Sequence, residues 1–363
     1  MKILYLINFA GKAGTEKYVL NLVKAFNKNN DKCFFAYNID GLLSEQMKEL
    51  GILSLKLEMK NPFDIKAAKT LSDFCKENKI DIIHTQYPRE NFIAILSKIF
   101  NPKIKVVNTC HLTLKTGFSW KILNMIFTRF DNKIISVCNY GKELMIKNGV
   151  CKSKITVIFN GIYYEEKNTK STIREELGID NDTFVICTLA RYAPEKGLSY
   201  LLDSFAALKK LTDRKLALII AGDGELFDEI KKKKEELLLS DTVFQLGYRQ
   251  DSENILAGSD MFINSAMCNE ALSFAILEAL GFGLPVIATN IGGNPDIINK
   301  SLPCGELVEY GDAKMTSEAI LGLVEDKEKY KLYSDNAIKT VKEKFNLEKL
   351  LSDIYEVYRE VLN

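Results

Sequence analysis

Short apolar runs alternate with longer stretches in which apolar residues return every three to four positions, along most of the chain. Residues 3–7, 32–37, 80–84, 105–109, 133–137 and 156–159 read as buried strands, too short for helices and rich in Ile, Val and Phe. Residues 16–29, 42–50, 91–100, 119–129 and 140–148 carry the helical period between them. The pattern restarts with strands at 184–190, 216–221, 243–246, 261–264 and 286–288. Helices at 200–211, 226–239, 251–258 and 273–281 separate these, and an amphipathic helix at 347–362 closes the chain. Strand–helix alternation of this kind predicts an α/β protein with parallel, doubly wound sheets. A chain of 363 residues exceeds one hydrophobic core, so two such domains are expected, 1–165 and 166–346, with a polar linker near 160–171. Ligands in such sheets bind at the carboxyl ends of strands where the strand order reverses, which makes a cleft between the two domains the expected active site.

Charge sharpens the division. Residues 1–165 hold 25 Lys and Arg against 14 Asp and Glu, whereas 166–363 hold 24 against 34. The basic half suits phosphates or an anionic membrane surface, or it reflects a Lys-rich composition alone. No apolar run is long enough to span a bilayer, and residues 1–7 read as a strand rather than a leader. Eight cysteines without a C-x-x-C pair point to reduced thiols and a cytoplasmic location. Two histidines and no ligand spacing leave no metal site to expect, and nothing suggests a nucleic-acid partner.

The richest stretch for chemistry is 269–280, where Glu270 and Glu278 stand eight positions apart around Ser273 and Phe274. A helix starting near Ser273 would point its free N–H groups at the space beside Glu270, an arrangement that binds phosphate. The alternative is an amphipathic helix with surface glutamates. Arg191 and Lys196 share one loop after a strand and before a helix, a compact pair of cations suited to a diphosphate or to an ion pair around Glu195. Gly11–Lys17, including Gly14, Thr15 and Lys17, follows the first strand and precedes a helix; it fits a backbone phosphate cradle or a plain turn. His111 ends a strand, and His84 reads as structural. Residues 115–133 mix Lys115, Lys121 and Arg129 with Trp120, Phe127 and Phe130, which suits an anionic membrane interface or packing on the first sheet.

Taken in order, these segments resemble the retaining glycosyltransferases of family 4. The likeness rests on Glu270-x7-Glu278, Arg191-x4-Lys196-Gly197, Thr109-Cys110-His111, Asp81-Ile82-Ile83-His84, Asn160-Gly161-Ile162 and Gly292-Gly293, and covers residues 1–310. Gln86 stands where the family has a second His, Ala13 and Ala190 where it has Gly, and Asp296 where it has Glu. The resemblance implies a GT-B fold of two facing Rossmann-like domains, the first binding acceptor, the second nucleotide sugar, with residues 347–363 crossing back onto the first. It also implies transfer of a hexose, without metal or other cofactor, from a nucleotide-diphosphate sugar, UDP-linked by expectation, to a glycan or lipid-linked saccharide of the cell envelope. Glu270 and His111 would orient the sugar. Arg191, Lys196, Gly14, Ser273 and Phe274 would hold the diphosphate, and Glu278, Gly222, Tyr248 and Arg249 the nucleoside. Thr15 and Lys17 would face the acceptor. The expected location is cytoplasmic, peripheral at the inner face of the cell membrane. A sugar-nucleotide 2-epimerase of the same fold and a non-catalytic partner subunit are the alternatives. A nicotinamide dehydrogenase is disfavoured, because no full G-x-G-x-x-G fingerprint is present.

Overall fold

The computed structural model describes residues 1–12, 14–28, 31–111, 115–164, 170–268 and 270–363. Ala13, Asn269 and residues 165–169 of the expected linker lie outside the described residues. The chain forms two compact units, Met1–Asn160 with Glu348–Asn363, and Gly161–Leu347.

Among the described residues the first unit holds a parallel sheet of β1 (Lys2–Phe9), β2 (Lys32–Ile39), β3 (Ser54–Lys56), β4 (Ile82–Thr85), β5 (Lys105–Cys110), β6 (Lys133–Ser136) and β7 (Ile155–Val157). Their order is β3-β2-β1-β4-β5-β6-β7. The second unit holds β8 (Phe184–Leu189), β9 (Leu216–Ala221), β10 (Val243–Gly247), β11 (Met261–Asn264), β12 (Val286–Thr289) and β13 (Gly305–Val308), in the order β10-β9-β8-β11-β12-β13. β4, β9, β11 and β12 are buried at every position, as parallel strands covered on both faces must be. The doubly wound α/β class read from the alternation is the class observed. In each sheet the order reverses once, between β1 and β4 and between β8 and β11. In sheets of this kind ligands bind at the carboxyl ends of the strands beside such a reversal.

Several elements escaped the hydrophobic pattern. β3 is three residues long and half-exposed, too short to show a period. The helix Ile65–Asn78 buries mostly small residues, Ala67, Ala68, Ser72 and Cys75, around Leu71. β13 and the helices Ala313–Glu325 and Lys327–Lys344 complete the second unit where no element was expected.

The chain passes between its units twice, and within the second unit the two crossing segments run side by side. Ile162 N–H donates to the Phe345 carbonyl at 2.9 Å, and Leu347 N–H to the Ile162 carbonyl at 2.8 Å. A Cβ on Gly161 would lie 2.2 Å from the Asn346 carbonyl oxygen, so only glycine permits this approach. From Glu348 onward the last helix, Leu347–Leu362, belongs to the first unit. Its Tyr358 is fully buried, with its hydroxyl bonded to His84 Nδ1 at 2.6 Å and to Tyr5 at 3.3 Å. Lys133 on β6 pairs with Glu360 of the same helix at 2.7 Å.

Asp131, two residues before β6, is buried. Asn91 Nδ2 donates to its Oδ2 at 3.1 Å, and its Oδ1 has no hydrogen-bond partner. Burial pushes this carboxyl up to about 8, against a usual value of 3.8. A raised folded-state value stabilises fully below the unfolded value and loses that contribution as pH rises through the folded one. Asp131→Asn should therefore match wild type below pH 3.8 and gain on it steadily up to about pH 8, by an amount of order 1 kcal/mol or more. Urea unfolding across that range tests this, and a gap that does not widen with pH contradicts it.

Candidate active site

The second unit gathers its candidates at the β8/β11 switch. β8 ends in a loop that carries Arg191, Glu195 and Lys196; β11 ends in one that carries Glu270. Lys196 Nζ meets Glu270 Oε2 at 2.6 Å, with side chains 23% and 10% exposed. The loops are also joined through the backbone. Met267 N–H donates to the Glu195 carbonyl at 2.9 Å, and Ser265 Oγ to the Lys196 carbonyl at 2.9 Å. Gly197 makes this contact possible: its φ is +62°, and a Cβ there would lie 2.1 Å from the Ser265 carbonyl oxygen. Ser273 caps the helix Phe274–Gly281, its Oγ accepting from Ile276 N–H at 3.4 Å. The cap thus stands three residues after Glu270 and the first turn starts four after it, with Glu278 one turn further along.

The loop after β12 supports Glu270 from below. Gly293 N–H donates to the Ala271 carbonyl at 2.8 Å, and a Cβ on Gly292 would lie 1.8 Å from the Glu270 carbonyl oxygen. Gly292 is a positioning residue that the sequence marked only as part of a glycine pair. Gly222 after β9 is similarly pinned, donating to Gly247 at 2.7 Å, with its Cβ position 1.9 Å from the Ala190 carbonyl oxygen.

Not every candidate is equally available. Arg191 is 71% exposed and pairs with Glu195 at 2.7 Å, a contact of small net worth. Arg249 is committed: its guanidinium bonds Glu176 at 2.5 and 3.0 Å and Asp251 at 2.7 Å. Those carboxylates hold its charge firmly, and the guanidinium in turn, with Asn254, pulls Asp251 far below the usual carboxylate range. Tyr248, by contrast, is largely exposed beside it.

In the first unit the candidates collect at the β1/β4 switch. Gly14 opens the helix Gly14–Lys28; Thr15 is buried and accepts from the Tyr87 hydroxyl at 2.8 Å, while Lys17 points outward. His111, just past β5, is half-buried with Nε2 2.9 Å from Gln86 Oε1. An amide oxygen only accepts, so Nε2 carries the proton and Nδ1 is the acceptor nitrogen. Tyr18 packs edge-on at 4.7 Å. Burial holds His111 down to about 3, so the ring is neutral at physiological pH. His84 is fully buried, held down to about 3 by burial and then by His111, and bonded through Nε2 to Thr109 at 2.7 Å. Gln86, fully buried, is the residue whose part only the tertiary contacts reveal.

Two family models match the chain, one described as Glycosyltransferase Family 4 over residues 13–166 and one as Glycosyl transferases group 1 over 169–340. The protein belongs to these group 1, family 4 glycosyltransferases. It is 27% identical over 311 residues to the N-acetyl-alpha-D-glucosaminyl L-malate synthase of Bacillus anthracis, covering 83% of this chain and 80% of that protein. It is 28% identical over 318 residues to the UDP-Gal:alpha-D-GlcNAc-diphosphoundecaprenol alpha-1,3-galactosyltransferase of Escherichia coli, covering 82% and 80%. Anabaena Alr3699/HepE, crystallised with UDP, shares the fold with a TM-score of 0.86 at 20% identity, over 99% of this chain and 100% of that one.

The Lys196–Glu270 pair makes a specific expectation. Removing one partner leaves a poorly hydrated charge behind, which costs about 1–3 kcal/mol. Lys196→Ala should lose that stability, and Glu270→Gln in the same background should restore part of it. Additive losses in a double-mutant cycle read by urea unfolding would show that the pair does not couple.

Proposed function

We propose that this protein is a retaining, metal-independent hexosyltransferase that moves a sugar from a UDP-linked donor to a lipid-linked saccharide or related envelope glycan. The observation that carries the reading is the Lys196–Glu270 pair set beside the first turn of the helix Phe274–Gly281. A lone anion-binding turn is common; one joined to a desolvated cation–carboxylate pair and a second, exposed guanidinium suits a sugar diphosphate. The names of relatives support the finer points. The Escherichia coli enzyme is named for a UDP-Gal donor and a diphosphoundecaprenol-linked acceptor, and HepE was crystallised with UDP.

On this reading the donor diphosphate competes with Glu270 for Lys196. Arg191, Lys196 and the N–H groups at Ser273 and Phe274 take up the charge that grows on the departing phosphate oxygen. Two cations and a helix end supply the neutralisation a divalent metal gives elsewhere. The bond from sugar C1 to that phosphate oxygen breaks while the acceptor hydroxyl bonds to C1 on the same face. Its proton passes to the leaving phosphate oxygen, so configuration is retained. Glu270, released from Lys196, accepts hydrogen bonds from sugar hydroxyls, and Glu278 from the ribose. Tyr248 is the candidate for the base, and Arg249, tied to Glu176 and Asp251, holds the neighbouring loop. His111 is the first unit's candidate for a sugar hydroxyl through Nδ1, with Thr15 and Lys17 toward the acceptor.

Thermal shift against a panel of nucleoside diphosphate sugars tests the donor. The matching ligand at about 100 times its Kd should add roughly 2.7 kcal/mol of stability. A panel in which UDP-sugars give nothing removes the UDP assignment. Conversion of the donor sugar without any acceptor would favour the epimerase instead.

Arg191→Ala should lower kcat/KM by about 10²–10³, the scale of losing one charge-assisted donor. Glu278→Gln should act mainly on donor KM, and Glu270→Gln mainly on kcat. The reverse split for the two glutamates contradicts their assigned roles, and an inverted anomeric centre by NMR contradicts retention.

A further inference from the structure

Beneath the helix Phe118–Phe127 the first unit contains a cavity of about 630 Å³, well inside the range of ligand sites. Phe92, Trp120, Ile134, Met145 and Val150 give it a largely apolar wall. Two of its amides, Asn91 and Asn124, are hydrogen-bonded within the protein. Asn91 accepts from Thr85 Oγ1 at 3.0 Å and donates to Asp131 at 3.1 Å; Asn124 Nδ2 donates to the Asn148 carbonyl at 3.0 Å. Such a lining suits hydrocarbon better than sugar.

Three further observations say what kind of hydrocarbon. The helix that roofs the cavity buries none of its own residues. Phe118 is 79% exposed, and Ile122, Met125, Ile126 and Phe130 are also outward. The surrounding segment, residues 98–154, carries 11 Lys and Arg against two acidic residues, one of them the buried Asp131. Lys115 stands exposed on the cavity lining itself. Finally, the cavity adjoins the candidate site: Cys110, which lines it, precedes His111, and Tyr87, which also lines it, lies 6.4 Å from the His111 ring.

We propose that this cavity holds the hydrocarbon chain of a lipid phosphate acceptor, with Lys115 meeting the phosphate and the saccharide emerging beside His111. The exposed apolar helix and its cations would rest on the anionic membrane from which the chain is drawn. The inference rests on the lipid-linked acceptor proposed above, but chain binding is measured without any transfer.

Trp120, the single tryptophan, is a built-in reporter, stacked on Phe92 at 5.9 Å on the cavity wall. Farnesyl diphosphate should change its fluorescence saturably, and inorganic diphosphate should not. Val150→Phe, which fills the cavity, should weaken binding by about ten-fold, and Lys115→Glu by a similar factor, with melting temperatures near wild type. Equal response to inorganic diphosphate, a silent Trp120, or undiminished binding in both variants overturns the proposal. Should Val150→Phe not fold, quenching of Trp120 by a chain-brominated prenyl diphosphate decides, and no quenching overturns it. Farnesyl diphosphate binding without transfer to any lipid-linked saccharide would keep the chain-binding cavity and remove the lipid-linked acceptor of the proposed function. Transfer to such a saccharide with Trp120 silent would do the opposite.

Discussion

A carboxylate that is nine-tenths shielded from water needs a counter-charge, and the second unit is arranged around meeting that need for Glu270. Lys196 supplies the charge from the neighbouring loop. For the two side chains to meet, the β8 and β11 loops must run in contact, and their backbone hydrogen bonds fix that contact. That contact leaves no room for a side chain at Gly197, and the approach of the loop after β12 to Glu270 leaves none at Gly292. The close approach of these loops around the pair therefore accounts for two glycines and for the position of the loop after β12. Under the proposed function it also gives the site its chemistry. A cation already balanced by a carboxylate can be shared with an incoming anion, and the carboxylate then turns to other donors.

The first unit solves a different problem, how to bury two imidazoles without charging them. His84 is bracketed by Thr109 and Tyr358, and His111 by Gln86 and Tyr18. Hydroxyl and amide partners suit neutral rings, and burial keeps both neutral far below their usual range. Because Tyr358 comes from the final helix, the last turns of the chain help define the surroundings of His84, in its first third. His84 is structural in the sense that it couples that helix to the sheet.

Much of the fold was legible because parallel strands buried on both faces are written as continuous apolar runs. That is why β1, β8, β9 and β11 announced themselves. β3 did not, since three half-exposed residues carry no period, and the helix Ile65–Asn78 hid its stripe in small residues. The loops that hold Arg191, Lys196 and Glu270 were legible too, because cations and carboxylates after an apolar run are conspicuous. Arg249 was equally conspicuous, yet its guanidinium is spent on Glu176, distant in sequence. Gln86 and Gly292 were the converse, unremarkable in type and important by contact.

The sequence by itself determined the class of fold, the ends of strands at which chemistry gathers, and the family, because these follow from periodicity and local order along the chain. The tertiary structure decided which charges face one another, which histidines stay neutral and where an apolar cavity opens beneath a basic helix. Those depend on distances between residues far apart in the chain and on how much water each group loses. A Lys is a free cation or half of a buried pair according to what the neighbouring loop brings within 3 Å, and no local pattern of residues contains that distance.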